Sequence, residues 1–161
     1  MSEPPARPVS HSFTTMTQFV LPSNANAMGN VFGGQILAWM DLCAAICAQR
    51  HTGRIVVTAG IDDLSFEQGV RVGEVVHLEA KVTAAFRTSL EIEVLVKGED
   101  ATRGERWSCV SAFMTFVALD DARRPTTIPP LVTTTDDERL LAQEADERRL
   151  ARLARRKPGR R

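Results

Sequence analysis

The 161-residue chain has few cysteines and no long apolar run. Three cysteines form an odd and sparse set, which argues against a disulfide scaffold and predicts reduced thiols. No run approaches the roughly 20 apolar residues that a bilayer-spanning helix needs. Residues 1–10 contain three prolines and no apolar stretch, unlike a secretory signal. We therefore expect a cytoplasmic protein without a membrane partner.

Aromatic residues are also scarce, at 6% of the chain, and the two signs of charge cancel. The charges are unevenly distributed along the chain. The C-terminal segment is basic, since residues 144–161 carry eight basic and three acidic side chains. Such a segment could bind phosphate groups, or it could be a solvated helix end followed by a tail. It contains no aromatic residue on which bases could stack, so we expect no nucleic-acid partner.

Hydrophobic residues make up 43% of the chain and charged residues 25%, which suits one globular domain. The pattern divides the chain into a flexible leader (1–11), a folded domain (12–130) and a charged C-terminal helix with a basic tail (131–161). A Thr-x-x-Glu capping box at residues 135–138 opens that helix.

Hydrophobic periodicity predicts about five strands and one long helix before residue 130. Apolar residues recur at helical spacing from 34 to 50, and Gly53 ends that segment. Alternation with a period of two predicts strands near 12–21, 55–66, 74–86, 90–96 and 106–119. Short turns between the later strands indicate antiparallel pairing. Because a single apolar helix needs a large surface to bury it, we expect an α+β fold in which the sheet wraps the helix.

Gly33 and Gly34 stand where a polar loop becomes the long helix. Free backbone N–H groups and the positive helix end at that place could polarise a carbonyl, although a plain loop-to-helix junction would have the same sequence. Asn26, earlier in the loop, could orient a water or hold a carbonyl, or it could serve the turn.

Asp41 follows two turns into the helix, flanked by alanines. A carboxylate in such a stripe can meet a close backbone or subunit and act as a general base. The alternatives are an exposed side chain on the flank of the helix and an ion pair with Arg50 or Arg54.

Arg87, Thr88 and Ser89 fill the turn between two long strands, where they could hold a phosphate or serve only the hairpin. Cys43, Cys47 and His51 share one helical stripe, but no fourth ligand is evident, and we predict buried thiols and no metal. The sequence has no P-loop, no Gly-x-Gly-x-x-Gly and no serine-hydrolase elbow.

Several ordered motifs between residues 15 and 130 resemble the hotdog-fold acyl-CoA thioesterases, and most of all the small bacterial broad-specificity and cytosolic brain-type acyl-CoA hydrolases. The matching segments are Asn26-Ala-Met-Gly-Asn-Val-Phe-Gly-Gly34, Trp39-Met-Asp41, Val57-Thr58, Phe66, Val72-Gly-Glu-Val75, Arg87-Thr-Ser89, Gly104-Glu-Arg106, Phe113-Met-Thr-Phe-Val-Ala-Leu-Asp120 and Thr127-Ile-Pro129. The chain departs from the family at Asn24 and Asn30, where aspartate is frequent.

The resemblance implies a hotdog fold and dimers whose sheets join, often as hexamers built from a trimer of dimers, with active sites at the dimer interface. It also implies hydrolysis of acyl-CoA to a free acid and CoA. The family's catalytic aspartate falls on Asp41, its catalytic asparagine on Asn26 of the partner subunit, and its helix-start amides on Gly33 and Gly34. Asp41 is then a general base or, alternatively, a nucleophile.

For the substrate, we expect contacts from the 87–89 turn and, beside the helix start, from Asn30 and Phe32. No metal or redox cofactor is needed, because water and a thiolate leaving group suffice. A non-catalytic acyl-CoA sensor is the alternative function. A hotdog dehydratase would carry a histidine where Phe32 stands.

Overall fold

The computed structural model describes residues 4–156, and a five-stranded antiparallel sheet forms most of the fold. Its strands are β2 (Thr14–Phe19), β3 (Ile55–Phe66), β4 (Val75–Ala85), β5 (Ser89–Asp100) and β6 (Glu105–Leu119). Their order across the sheet is β2-β4-β5-β6-β3, and every neighbouring pair is antiparallel. These strands agree with the predicted ones to within a few residues at each end.

The long helix α1 (Gly33–Thr52) packs on the inner face of this sheet. Its buried stripe includes Met40, Cys43 and Cys47, which join Leu78 of β4 and Phe116 of β6 in one hydrophobic core. Gly53 ends the helix in the left-handed conformation, with φ of 65°. The predicted architecture, a helix wrapped by an antiparallel sheet, is confirmed.

Residues 7–11, which the sequence places in a flexible leader, are instead ordered against the rest of the fold. A two-residue strand, β1 (Arg7–Pro8), pairs in parallel with β7 (Leu131–Val132), and Val9 is buried. The Arg7 guanidinium donates to the carbonyl oxygens of Arg50 (2.9 Å) and His51 (2.6 Å). These bonds satisfy acceptors at the C-terminal end of α1, which is why the segment is held in place.

The charged C-terminal helix α2 (Asp136–Arg155) begins at the predicted capping box: the Glu138 N–H donates to the Thr135 hydroxyl at 3.2 Å. It packs on the outer face of the sheet, away from α1. There the Arg148 guanidinium binds both carboxylate oxygens of Glu91 at 2.9 and 3.1 Å and covers the Phe113 ring. Glu91 is fully buried, so α2 is anchored to the centre of the sheet.

Strand β3 lies at one edge of the sheet and leaves apolar side chains in solvent, including Ile55, Val57, Ile61, Leu64 and Phe66. Leu42 and Ile46 of α1 are exposed as well. A long apolar edge strand is normally covered by another chain or element. Neither α1 nor α2, the two long helices of residues 4–156, is apolar enough to cross a membrane.

Candidate active site

Asp41 meets Thr58 of the edge strand. The Thr58 hydroxyl donates a hydrogen bond of 2.6 Å to Oδ1 of the half-buried Asp41 carboxylate. Neither Arg50 nor Arg54 forms an ion pair with Asp41 within residues 4–156; the Arg50 guanidinium instead donates to the Thr14 hydroxyl. A carboxylate with one oxygen held by a hydroxyl keeps its second oxygen for a water or a substrate.

Thr58 lies in a segment that matches the family, but the sequence analysis gave it no role in the site. The signal available was its alternation with Val56, which packs against the core and so places Thr58 on the face turned to α1. Nothing in the sequence alone shows that this hydroxyl lies opposite Asp41.

The start of α1 presents unpaired backbone donors. Phe32 precedes the helix and provides no side-chain cap, while the N–H groups of Gln35 and Ile36 both donate to its carbonyl oxygen. The N–H groups of Gly33 and Gly34 have no acceptor among residues 4–156. Both glycines are exposed, and a Cβ at Gly34 would meet nothing within 4 Å. Donors at a helix N-terminus that face open space can bind a carbonyl oxygen or an oxyanion.

Asn26 uses one end of its carboxamide inside its own turn. Its Oδ1 accepts the N–H groups of Met28 (3.0 Å) and Asn30 (3.2 Å), so the alternative of turn chemistry is present. The same two bonds fix the orientation of the amide, because only the oxygen can accept them. What Asn26 can offer outside the turn is therefore the Nδ2 donor.

The candidates in one chain form two groups. The first group is Asn26 with the helix start, joined by a hydrogen bond from the Phe32 N–H to the Asn24 carbonyl oxygen. The second group is Asp41 with Thr58. Asp41 comes eight positions after Gly33 in the helix, which corresponds to about 12 Å along the axis. This distance is too long for both groups of one chain to hold the same carbonyl.

The turn at residues 87–89 lies across the sheet from the second group, at the same level along the strands. Ser89 pairs with Val117, and Val117 pairs with Val57, so the turn is two strands, roughly 10 Å, from the residue before Thr58. The Arg87 and Thr88 carbonyl oxygens accept the N–H groups of Ile128 and Ala118. These bonds fix the turn and leave the Arg87 side chain exposed beside an open groove of about 230 Å³.

A second guanidinium approaches this turn from α2. Arg149 lies 4.5 Å above the centroid of the Phe86 ring, and Phe86 precedes Arg87. The structure thus places two arginines of distant sequence near one hairpin. The other predicted substrate contacts, Asn30 and Phe32, lie instead at the helix start with Asn26.

The thiols are buried and their chemistry is suppressed. Burial raises the pKa of Cys43 to about 11, of Cys47 to about 12 and of Cys109 to about 11. The Nε2–H group of His51 donates to the Pro129 carbonyl oxygen at 3.0 Å. In residues 4–156 no group of three or more His, Cys, Asp or Glu side chains is arranged to hold a metal ion.

Residues 28–105 match the model of the thioesterase superfamily. The acetyl-coenzyme A thioesterase of Rattus norvegicus is 39% identical over 86% of this chain and 25% of its own length. The chain thus spans about a quarter of that curated relative.

Several solved structures match at nearly full length, and two of them illustrate the similarity to this chain. One is an acyl-CoA hydrolase from Staphylococcus aureus in complex with butyryl coenzyme A, coenzyme A and coenzyme A disulfide, with a TM-score of 0.87, 31% identity and coverage of 94% of this chain and 92% of the other. Variants of that hydrolase with an aspartate, a threonine or an asparagine replaced by alanine match as well. The other is a hexameric acyl-CoA thioesterase, with a TM-score of 0.88, 37% identity and coverage of 94% and 99%.

Three observations agree with one another. The chain folds as a long helix against a five-stranded antiparallel sheet, and the family model matches the helix and the strands that follow it. The identities to nearly complete solved structures exceed 30%. The chain belongs to the thioesterase superfamily and has its hotdog fold.

Proposed function

We propose that this protein hydrolyses acyl-CoA thioesters to a free acid and CoA, in the cytoplasm. The observation that carries the proposal is the Asp41–Thr58 hydrogen bond in a chain of the thioesterase superfamily. The S. aureus hydrolase was studied as variants of an aspartate, a threonine and an asparagine. The same three residue types occur here as Asp41, Thr58 and Asn26.

In this mechanism Asp41 is the general base. Thr58 holds Oδ1, so Oδ2 accepts a proton from a water as the water oxygen attacks the thioester carbon. The tetrahedral intermediate then collapses, the carbon–sulfur bond breaks with its electron pair on sulfur, and the CoA thiolate leaves. The acid is released and Asp41 returns its proton to the thiolate or to solvent.

The start of α1 stabilises the charge that develops on the carbonyl oxygen. The free N–H groups of Gly33 and Gly34 donate to this oxygen at the positive end of the helix. Asn26 assists through its Nδ2 donor, which favours a contact to the carbonyl oxygen because its own oxygen is already engaged in the turn.

Dimerisation completes the site. Since the two groups of candidates are about 12 Å apart in one chain, the helix start and Asn26 of one subunit would face Asp41 and Thr58 of its partner across a two-fold axis. The exposed apolar edge strand β3, which carries Thr58, provides the surface for this contact. Assembly of three such dimers into a hexamer follows the example of the hexameric relative.

CoA itself is held at the 87–89 turn. This turn offers the guanidinium of Arg87 and the hydroxyls of Thr88 and Ser89. Its distance from the Asp41–Thr58 group is about the length that a pantetheine arm can span. Arg149 beside Phe86 adds a second cation for the phosphates. Of the basic C-terminal segment, residues 157–161 lie outside the described part of the chain.

The test is CoA release from a panel of acyl-CoA substrates from acetyl to palmitoyl. Asp41→Asn keeps the side-chain shape but removes the base, and we expect a loss of kcat of at least about a hundredfold. Asp137→Asn, an exposed carboxylate in α2, is the matched control and should retain wild-type kcat. Each variant is checked by circular dichroism and size-exclusion chromatography.

Binding of acyl-CoA without turnover at any chain length would refute the enzyme and favour the acyl-CoA sensor. Should turnover occur, single-turnover hydrolysis in ¹⁸O-water distinguishes a general base from a nucleophile whose anhydride is cleaved at the aspartyl carbonyl. A general base places ¹⁸O in the product acid during the first turnover. A nucleophile whose acyl-aspartyl anhydride is cleaved at the aspartyl carbonyl leaves the first acid unlabelled and puts ¹⁸O into Asp41.

A further inference from the structure

A bulge in β3 lies directly after Thr58. Thr58 pairs with Phe116, which belongs to the core, whereas Gly60 pairs with the adjacent residue, Thr115. Ala59 is therefore an extra residue on this strand. Without it, Gly60 would point to the same face as Thr58, because strand side chains alternate with a period of two. With it, Thr58 faces α1, while Gly60 and Asp62 face the outer side.

The outer side of this bulge is covered by Arg152 of α2. Its guanidinium donates to Oδ2 of Asp62 at 2.5 Å, and its Cδ lies 3.8 Å from where a Cβ of Gly60 would be. The side chains of Asp62 and Arg152 are only 11% and 22% exposed, so their ion pair is largely shielded from water. Arg155 also reaches Asp62, at 3.4 Å, but its side chain is 71% exposed.

The helix that carries Arg152 is itself fixed to the centre of the sheet. Arg148, one turn earlier, binds the buried Glu91, whose Oε1 also accepts the Thr83 hydroxyl at 2.7 Å. Through these contacts α2 links the rigid central strands to the edge strand. Within one chain β3 has a neighbouring strand on one side only, so the contact of its outer face with α2 limits its freedom to shift in register.

We propose that Arg152 is a positioning residue for the reaction: from the outer face it holds the bulge of β3, so that Thr58 on the inner face keeps its hydrogen bond to Asp41. The inference rests on the proposed thioesterase function. Arg152 acts through Thr58, since it lies on the opposite face of β3 from Asp41. Loss of the bulge would shift the pairing of β3 by one residue on one side of Ala59, so Thr58 and Asp62 could no longer keep their present opposite faces.

A double-mutant cycle tests the coupling. Arg152→Gln should lower kcat by about tenfold to a hundredfold, with KM for acyl-CoA nearly unchanged, because misplacement of a reacting group reduces the rate of the chemical step. Thr58→Ala should also lower kcat. In the double variant, kcat should stay within about twofold of Thr58→Ala alone, since there is no hydroxyl left to position. Fully additive losses would overturn the proposal.

Arg139→Gln is the matched control, because it removes an arginine of α2 whose ion pair with Asp136 is exposed, and its kcat should equal that of the wild type. Amide hydrogen exchange gives a readout independent of activity: Arg152→Gln should accelerate exchange at residues 57–62 by about tenfold, and Arg139→Gln should not. Unchanged exchange in Arg152→Gln would overturn the proposal. If the wild type hydrolyses no acyl-CoA, the proposed function fails, and the exchange measurement still decides whether Arg152 holds β3.

Discussion

The indole ring of Trp107 covers Gly98 so closely that a Cβ at residue 98 would lie 2.3 Å from it. The two residues are direct partners across β5 and β6. The indole Nε1–H donates to the Gly69 carbonyl oxygen at 3.1 Å, and Arg71, two residues later, forms a β-bridge with Asn30. Trp107 thus holds the loop around Gly69 against the sheet, and this loop supports the turn that contains Asn26.

Gly98→Ala should displace this indole and destabilise the protein by about 1–3 kcal/mol, the usual cost of overpacking. Urea unfolding of the wild type and the variant measures the difference. In a Trp107→Ala background the added methyl meets no ring, so the same substitution should cost much less. An equal cost in both backgrounds would show that the indole is not the cause.

Arg148→Met should destabilise the fold by about 3–5 kcal/mol, because it leaves the fully buried Glu91 carboxylate without its cation. Chemical denaturation provides the measurement. Lys97→Met breaks the exposed pair with Glu79 and should cost no more than about 1 kcal/mol. In the double variant Glu91→Leu with Arg148→Met, much of the lost stability should return. Failure of Arg148→Met to exceed the Lys97→Met control would contradict the anchoring role.

Stability should fall as the pH drops below 6.5, partly because of His51. Burial lowers the pKa of this imidazole from 6.5, and the charge of Arg7 lowers it further, against the opposing hydrogen bond to Pro129. The folded state therefore keeps His51 neutral at a pH where the unfolded state binds a proton, so acid favours unfolding. One such group contributes a slope of at most about 1.4 kcal/mol per pH unit.

Unfolding in urea at pH 7.5, 6.5 and 5.5 measures this slope, and His51→Gln should reduce it. His11→Gln removes an exposed imidazole and should leave most of the slope in place. A slope that His51→Gln leaves unchanged would assign the acid sensitivity to other groups.

The sheet and α1 could be predicted because burial follows the period of each element. Leu78 and Ile92 alternate with polar neighbours, and Met40, Cys43 and Cys47 recur along one helical stripe. The ordered leader could not be predicted in this way. Its contact joins Arg7 to Pro130, far away in sequence, through two residues that have no periodic pattern.

The candidate site was predictable in its residue types and less so in its geometry. The motif around Asp41 and Asn26 identified the polar residues, but the turn bonds that leave Asn26 only its Nδ2 donor depend on backbone conformation. The position of Thr58 depends on the pairing of β3 with β6, and the outward direction of Asp62 depends on a bulge that strict alternation does not reveal.

The separation between Asp41 and the helix start also has a genetic meaning. If each active site takes one group from each subunit, a chain with Asp41→Asn and a chain with Asn26→Ala are defective in different groups of the site. A mixed dimer of the two then has one site with both lesions and one with neither. Equimolar reassociation of the two inactive proteins should restore about a quarter of wild-type activity, whereas chains that carry both substitutions should restore none. Two defective copies of such a gene can therefore complement each other, which a site contained within one chain would not allow.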